Sequence, residues 1–241
     1  MIISKLTHIW QWLSGKRTVI DEPRWLQASE HGIAKNLISD NALTVLSTLQ
    51  QAGFHAYLVG GSVRDLLMGL TPKDFDIATN ARPEQVKKCF KYCRIIGKRF
   101  RLAHVIFGRD ILEVATFRKA SKKPKRHFRT NGHGMLVSDN IYGRLDDDVW
   151  RRDFSVNALY YDARDEVVID YVGGVTDLVH GKFRIIGDPE VRYREDPVRM
   201  LRAVRFAVKL DFDIEEDTAA PIEEMAPLLR EIPSARLFEE S

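Results

Sequence analysis

Leu58-Val59-Gly60-Gly61-Ser62-Val63-Arg64-Asp65, followed after a short gap by Lys73-Asp74-Phe75-Asp76-Ile77, is the stretch whose reading decides the fold. Residues 55–59 are apolar enough for a buried strand, and the glycine pair provides a tight exit from it. Residues 63–68 then supply about two helical turns, closed by Gly69. A strand that turns at once into a helix leaves unpaired N–H groups at the helix start. A triphosphate can approach such bare backbone, and Arg64 adds a charged fork. Residues 74–77 read as a second strand. Side chains two apart on a strand share a face, so Asp74 and Asp76 point one way while Phe75 and Ile77 enter the core. Two carboxylates held in this manner can share hard divalent cations; Mg²⁺, or Mn²⁺ in its place, takes one or two carboxylates together with substrate phosphate oxygens. Each feature alone has a plainer reading: Gly-Gly as a turn, Arg64 as a partner for Asp65 or Asp74, Asp-x-Asp as a solvated strand end. Together they describe a phosphate cradle facing a metal site, which could serve kinases, phosphatases or polymerases.

Outside this stretch, composition sets broad limits. The 241 residues suffice for an α/β core with a smaller helical appendage. Lys and Arg total 37 against 34 Asp and Glu, and a net charge of +3 is too mild to argue for nucleic acid. The distribution is more informative: Arg118, Lys119, Lys122, Lys123, Lys125, Arg126 and Arg129 follow one another with no acid among them. That run reads equally as a solvated loop or as one that contacts phosphates. The two cysteines, Cys89 and Cys93, lie four apart in a helix-like segment and read as small core residues, in keeping with a reducing cytoplasm. No run of 18 apolar residues is present, so no membrane span is expected. Residues 1–16 are amphipathic without a small-residue cleavage site, which is not the pattern of a secretory signal.

In chain order we expect a leader and linker over 1–38, an α+β head over 39–180 and a helical neck over 181–241. A helix opens at the Ser39-Asp40-Asn41 caps and buries Ala42, Leu43, Val45, Leu46 and Leu49. Another covers 83–93, with Pro83 in its first turn and the two cysteines on one face. Strands follow at 94–96, 103–107 and 111–116. Residues 146–161 begin acidic and turn helical, 167–171 form a strand, and Gly173-Gly174 a turn. Helices over 198–210 and 218–230 make the region after Asp196 all-helical.

Taken in order, the motifs resemble those of a known family. An apolar-Gly-Gly element, twelve intervening residues and then Asp-apolar-Asp-apolar is similar to the signature of the polymerase-β-like nucleotidyltransferases. The fuller Leu58–Asp65 and Lys73–Asp76 patterns resemble their class II branch, which holds CCA-adding tRNA nucleotidyltransferases and bacterial poly(A) polymerases. The resemblance covers residues 41–241. It implies a mixed sheet flanked by helices, and transfer of a nucleotide from a nucleoside triphosphate to an RNA 3′-hydroxyl with two Mg²⁺ ions held by Asp74 and Asp76. Arg151-Arg152-Asp153-Phe154-Ser155-Val156-Asn157-Ala158-Leu159 is similar to a second motif, implying that Arg152 and Asp153 lie at the ribose and phosphates. Read alone, Asp153 could cap a helix and Arg152 could pair with the acids at 146–148. Asp170-Tyr171-Val172-Gly173-Gly174 also matches, in a role we read as architectural. Glu195-Asp196-Pro197-Val198-Arg199-Met200-Leu201-Arg202 resembles the base-reading motif, whose Asp196, Arg199 and Arg202 line one side of a helix. An aspartate accepts from an exocyclic amine and an arginine donates to the adjacent ring nitrogen. Adenine and cytosine both offer that pair, so this motif does not separate A-adding from C-and-A-adding enzymes.

Ile95-Ile96-Gly97-Lys98-Arg99-Phe100-Arg101-Leu102-Ala103-His104-Val105 is similar to the segment that marks the poly(A) polymerase branch. The resemblance thus implies ATP as donor, RNA 3′ ends as acceptors and polynucleotide adenylyltransferase activity. A CCA-adding enzyme is the nearest alternative, and a truncated, non-catalytic RNA-binding module the next, since the family's longer helical body is expected beyond residue 241. Glu113, between two apolar residues of an expected strand, is a candidate third carboxylate; pairing with Arg118 or Arg99 is the competing reading. His104 reads as a hydrogen-bonded residue of the sheet.

Overall fold

Strand alternation and register place two candidate acids, Asp76 and Glu113, on one face of one sheet. The computed structural model describes residues 22–97, 101–119, 129–130, 136–138 and 141–240. The amphipathic leader over 1–16, the centre of the basic run and Lys98-Arg99-Phe100 lie outside those residues. In chain order the strands are β1 Arg24–Leu26, β2 Ala56–Val59, β3 Asp76–Thr79, β4 Cys93–Ile96, β5 Leu102–Phe107, β6 Asp110–Thr116, β7 Arg129–Thr130, β8 Leu136–Ser138, β9 Leu159–Asp162, β10 Val167–Asp170, β11 Lys182–Phe183 and β12 Asp213–Ile214. Eight of them form one mixed sheet in the order β1-β10-β9-β2-β3-β6-β5-β4, while β7 pairs with β8 and β11 with β12. Within the large sheet only β3 and β6 run parallel. A parallel neighbour requires a crossover, which residues 80–109 furnish.

The helices are α1 Ala28–His31, α2 Asp40–Gln51, α3 Gly61–Leu67, α4 Pro83–Cys89, α5 Leu145–Arg151, α6 Gly174–Val179, α7 Pro189–Glu195, α8 Val198–Leu210, α9 Glu216–Ala219, α10 Ile222–Met225 and α11 Ser234–Glu240. Ser39 caps α2 as expected, its Oγ accepting from the Ala42 amide at 3.2 Å, a contact that contributes about 1 kcal/mol. Ala42, Val45, Leu46 and Leu49 of α2, Val63 and Leu66 of α3 and Val86 of α4 pack in one core cluster with Leu58, Ile77, Val114, Leu159 and Val168. Each fully buried aliphatic side chain contributes about 1.5–3 kcal/mol. A smaller cluster joins Tyr57, Val59, Ala78, Tyr160 and Ile169 to Val149 of α5, Phe117 and Ile186.

One line of paired residues crosses all eight strands: Trp25, Ile169, Tyr160, Val59, Asp76, Glu113, His104 and Arg94. Directly paired residues project to the same face. The line is therefore apolar over one half of the sheet and acidic then basic over the other.

Several expectations are corrected. The described part of the expected linker is structured: β1 pairs with β10, and Leu26, His31 and Ile38 are buried. Only Asp76 of the acid pair lies in β3; Asp74 belongs to the connection before it, so strand alternation does not fix its direction. Helix α4 stops at Cys89 and Cys93 opens β4, so the two cysteines do not share a helix face; both are free thiols. The helical reading of 146–161 ends at Arg151; a 3-10 turn over Ser155–Asn157 and then β9, four buried residues beside β2, follow. The region after Asp196 is not wholly helical, since β12 pairs in parallel with β11. Pro221 and Pro227 divide the expected helix over 218–230 into α9, α10 and a 3-10 segment over Ala226–Glu231. Among the described residues, no helix is long and apolar enough to cross a membrane.

Candidate nucleotide site

Asp76 and Glu113 stand directly opposite on β3 and β6, and His104 on β5 continues the row with Nε2 3.2 Å from Glu113 Oε1. Lost hydration raises the pKa of Asp76 above the ordinary carboxylate value; Glu113 and Asp74 add to the rise and Arg152 opposes it. Glu113, paired in sequence reading with either a metal or an arginine, thus faces Asp76 and His104. An acid whose ionisation is opposed by two neighbouring acids suits a divalent cation, which brings the missing positive charge. Among the described residues no three histidine, cysteine, aspartate or glutamate side chains are gathered closely enough to cage an ion by themselves. Mg²⁺ needs only one or two carboxylates when phosphate oxygens and water complete its shell.

Beside this row, β2 ends in a turn only glycine adopts freely, with φ +77° at Gly60. A Cβ there would stand 3.7 Å from the Asn157 carbonyl oxygen and 3.9 Å from Arg152 Nη1. The turn opens α3, whose first amides have no acceptor within the helix. Arg64 is buried and its nitrogens are engaged: Nε and Nη2 donate to Asp65 Oδ1 at 2.9 and 2.7 Å, and Nη1 donates to Asn157 Oδ1 at 2.6 Å. It thus braces the Gly60-Gly61 turn against the second motif. Arg152 is the cation beside the turn. Its Nε donates to the Tyr160 hydroxyl at 2.7 Å and its Nη2 to Asp148 Oδ2 at 2.9 Å.

The second and base-reading motifs meet at Asp153. Its Oδ1 accepts from the Phe154 amide at 2.8 Å, and its Oδ2 accepts from Arg202 Nε at 2.9 Å. Burial opposes ionisation of Asp153, but Arg202, the Phe154 amide and Arg199 together outweigh it and hold the carboxyl below its usual pKa. Arg199 points back along the chain, donating to the Arg192 carbonyl at 2.8 Å and to Glu195 at 3.1 Å. Asp196 Oδ2 accepts from Arg236 Nη2 at 2.6 Å, whereas its Oδ1 is buried with no hydrogen-bond partner among the described residues. Helix α11 also brings Glu240 against Arg202 at 2.7 Å and Arg205 at 2.6 Å. The structure thus joins Gly60, Arg152 and Asp76 in one group and Asp153 with Arg202 in a second; Arg199 and Asp196 belong to the α7–α8 junction beside the latter.

One contributor escaped sequence reasoning, and a second shows how its motif is built. Arg192 donates from Nη2 to the carbonyls of Arg151 and Arg152 at 2.8 and 2.6 Å and from Nη1 to Glu195 at 2.6 Å, tying α7 to the end of α5. One arginine among several in an amphipathic helix carries no signal of that task. Asp170, fully buried, accepts from the amides of Val172, Gly174 and Val175, each at 3.0 Å. It fixes the Gly173-Gly174 turn, and a Cβ on Gly174 would lie 2.2 Å from the Ser155 carbonyl oxygen, in line with the architectural reading.

Residues 56–184 match the family described as "Poly A polymerase head domain", and residues 211–241 match "Probable RNA and SrmB- binding site of polymerase A". The chain is 57% identical over 215 residues to poly(A) polymerase I of Salmonella typhimurium, covering 88% of this chain and 46% of that protein. It is 43% identical over 199 residues to the CCA-adding enzyme of Lactobacillus helveticus, covering 83% and 48%. Among solved structures, the Bacillus stearothermophilus CCA-adding enzyme in complex with CTP superposes with a TM-score of 0.70 at 36% identity, covering 83% of this chain and 46% of that one. The chain spans about half the length of the curated relatives it matches.

Proposed function

Since the chain belongs to the poly(A) polymerase head-domain family, we propose that it is the nucleotide-binding part of a template-independent polynucleotide adenylyltransferase that adds AMP from ATP to RNA 3′ ends in the cytoplasm. The observation that carries this reading is the meeting of three sequence-distant motifs, with Arg152 beside the Gly60 turn and Arg202 on Asp153. Higher identity to a poly(A) polymerase than to a CCA-adding enzyme supports ATP as the donor. The match of residues 211–241 to an RNA-binding region supports RNA as the acceptor. The same proposal divides the chain into a head that ends at residue 180, which β1 extends back to residue 24, and a neck over 181–241.

In the proposed reaction the RNA 3′-oxygen attacks the α-phosphorus, the bond to the bridging oxygen of the β-phosphate breaks, and pyrophosphate leaves. Two Mg²⁺ ions held by Asp74 and Asp76, with Glu113 beside them, would lower the pKa of the attacking hydroxyl and neutralise the departing charge. The backbone at Gly60 and Gly61 receives phosphate oxygens, Arg152 adds charge from Nη1, and Asp153 is oriented toward the ribose by Arg202. The unpaired Asp196 Oδ1 suits the exocyclic amine of adenine, and Arg199 suits its ring nitrogen.

The test is product analysis with an oligo(A) primer, with tRNA, and with each triphosphate separately. Processive addition of A alone supports the proposal, and two defined C additions before A would replace it with CCA addition. Binding of Mg-ATP without pyrophosphate release on any primer would leave the chain a binding module. Asp76→Asn is expected to reduce transfer by a factor on the order of 10³ or more with the fold intact; near wild-type activity would refute the ligand assignment.

A further inference from the structure

We propose that Tyr160 and Asp148, two buried polar residues to which the motif reading gives no task, are positioning residues that aim one nitrogen of Arg152 at the triphosphate. The inference rests on the nucleotidyl-transfer reading and deepens it. Tyr160 is fully enclosed between β2 and β10, on the line of paired residues that also carries Asp76. Its hydroxyl accepts from Arg152 Nε at 2.7 Å and donates to Asp148 Oδ2 at 2.7 Å, while its ring lies 5.1 Å below the guanidinium carbon. Asp148 Oδ2 accepts in addition from Arg152 Nη2 at 2.9 Å, and its Oδ1 accepts from the Arg118 amide at 3.0 Å and Arg151 Nε at 2.9 Å.

This arrangement leaves little freedom. The carboxylate is fixed from four sides, and the tyrosine hydroxyl can neither rotate away nor exchange its partner without orphaning a buried group. Two of the three guanidinium nitrogens are thereby spent, and the ring beneath sets the plane of the fork. The third, Nη1, makes no hydrogen bond with the described residues and lies on the Gly60 side, 3.9 Å from where a Cβ would stand. Glycine at that position leaves the space in front of Nη1 open. An arginine held in one rotamer before the ligand arrives binds it without a further loss of side-chain entropy.

Tyr160→Phe removes the hydroxyl and keeps the ring, so it tests the aim separately from the packing. The probe is Mg-ATP titrated without primer into the 241-residue protein, in the wild type, Tyr160→Phe, Arg152→Ala and the double variant. Tyr160→Phe should weaken ATP binding by about tenfold in the wild-type background and by less than about twofold once Arg152 is alanine. Tyr57→Phe, in the same apolar cluster, should leave affinity unchanged and so reports the effect of core loosening alone. Equal weakening in both backgrounds, no weakening in either, or a matching loss in Tyr57→Phe overturns the proposal while the nucleotidyl-transfer reading stands. A wild-type protein that binds no Mg-nucleoside triphosphate overturns both.

Discussion

Replacing Arg192 by methionine isolates the joint between the second motif and the base-reading helix. The side chain is buried, and its loss strips donors from the carbonyls of Arg151 and Arg152 and one partner from Glu195. Breaking a buried ion pair by removing one partner costs about 3–5 kcal/mol when the other is left alone. Two features reduce that figure. Glu195 retains Arg199 at 3.1 Å. Burial, and then repulsion from Arg199, already push the pKa of Arg192 down to about 10, so part of its favourable pairing is offset by the strain of holding its charge there. A net loss of about 3 kcal/mol follows, most of it from the two orphaned carbonyls. In a chain of this size that corresponds to a fall in melting temperature of about 6–12 °C. The measurement is thermal unfolding followed by circular dichroism, with Arg194→Met as the control: Arg194 is exposed on the same helix and should shift the midpoint by less than about 2 °C. Equal midpoints for the two variants would refute the argument that Arg192 joins these elements.

Two further outcomes are expected. The folded pKa of Asp153 lies below its unfolded value, because Arg202, the Phe154 amide and Arg199 together outweigh burial, so its contribution to stability is present above about pH 4 and is lost as pH falls through the folded value. Asp153→Asn should therefore lower the melting temperature more at pH 7 than at pH 3, and equal losses at the two pH values would contradict this. Gly174→Ala places a Cβ 2.2 Å from a backbone oxygen that cannot yield and should cost about 3 kcal/mol or more in chemical denaturation; a loss under about 1 kcal/mol would show that the turn can shift.

The parts of the fold that sequence revealed are those set by local chemistry. Ser39 before an apolar helical face, Gly60-Gly61 after an apolar strand and Pro83 at a helix start each specify their element within a few residues, and the structure agrees. What was misread depends on partners distant in the chain. Residues 159–162 come soon after a helix and a 3-10 turn with no glycine or proline to mark a new element, and only pairing with β2 and β10 makes them a strand. Arg24–Leu26 is too short to show a period and is a strand only because β10 offers an edge. Within the site, residue types at motif positions were legible, but their geometry was not. Arg64 and Arg152 look equally suited to phosphate in sequence; Asp65 and Asn157 take the first, and Tyr160 and Asp148 leave the second one nitrogen over.

The parallel pairing of β3 with β6 has a consequence for locating the third acid in other chains. Of the elements between the two strands, α4 leaves the sheet while β4 and β5 extend it on the far side of β6, so the connections among them can lengthen or shorten without moving Glu113 relative to Asp76. A search at fixed spacing would lose the acid after one insertion. A search for the strand that returns beside the Asp-x-Asp strand, followed by its residue facing the second aspartate, would still find it. A shift of that returning strand by a single residue would present Leu112 or Val114 instead, so the slip would empty the position without changing any residue of the site.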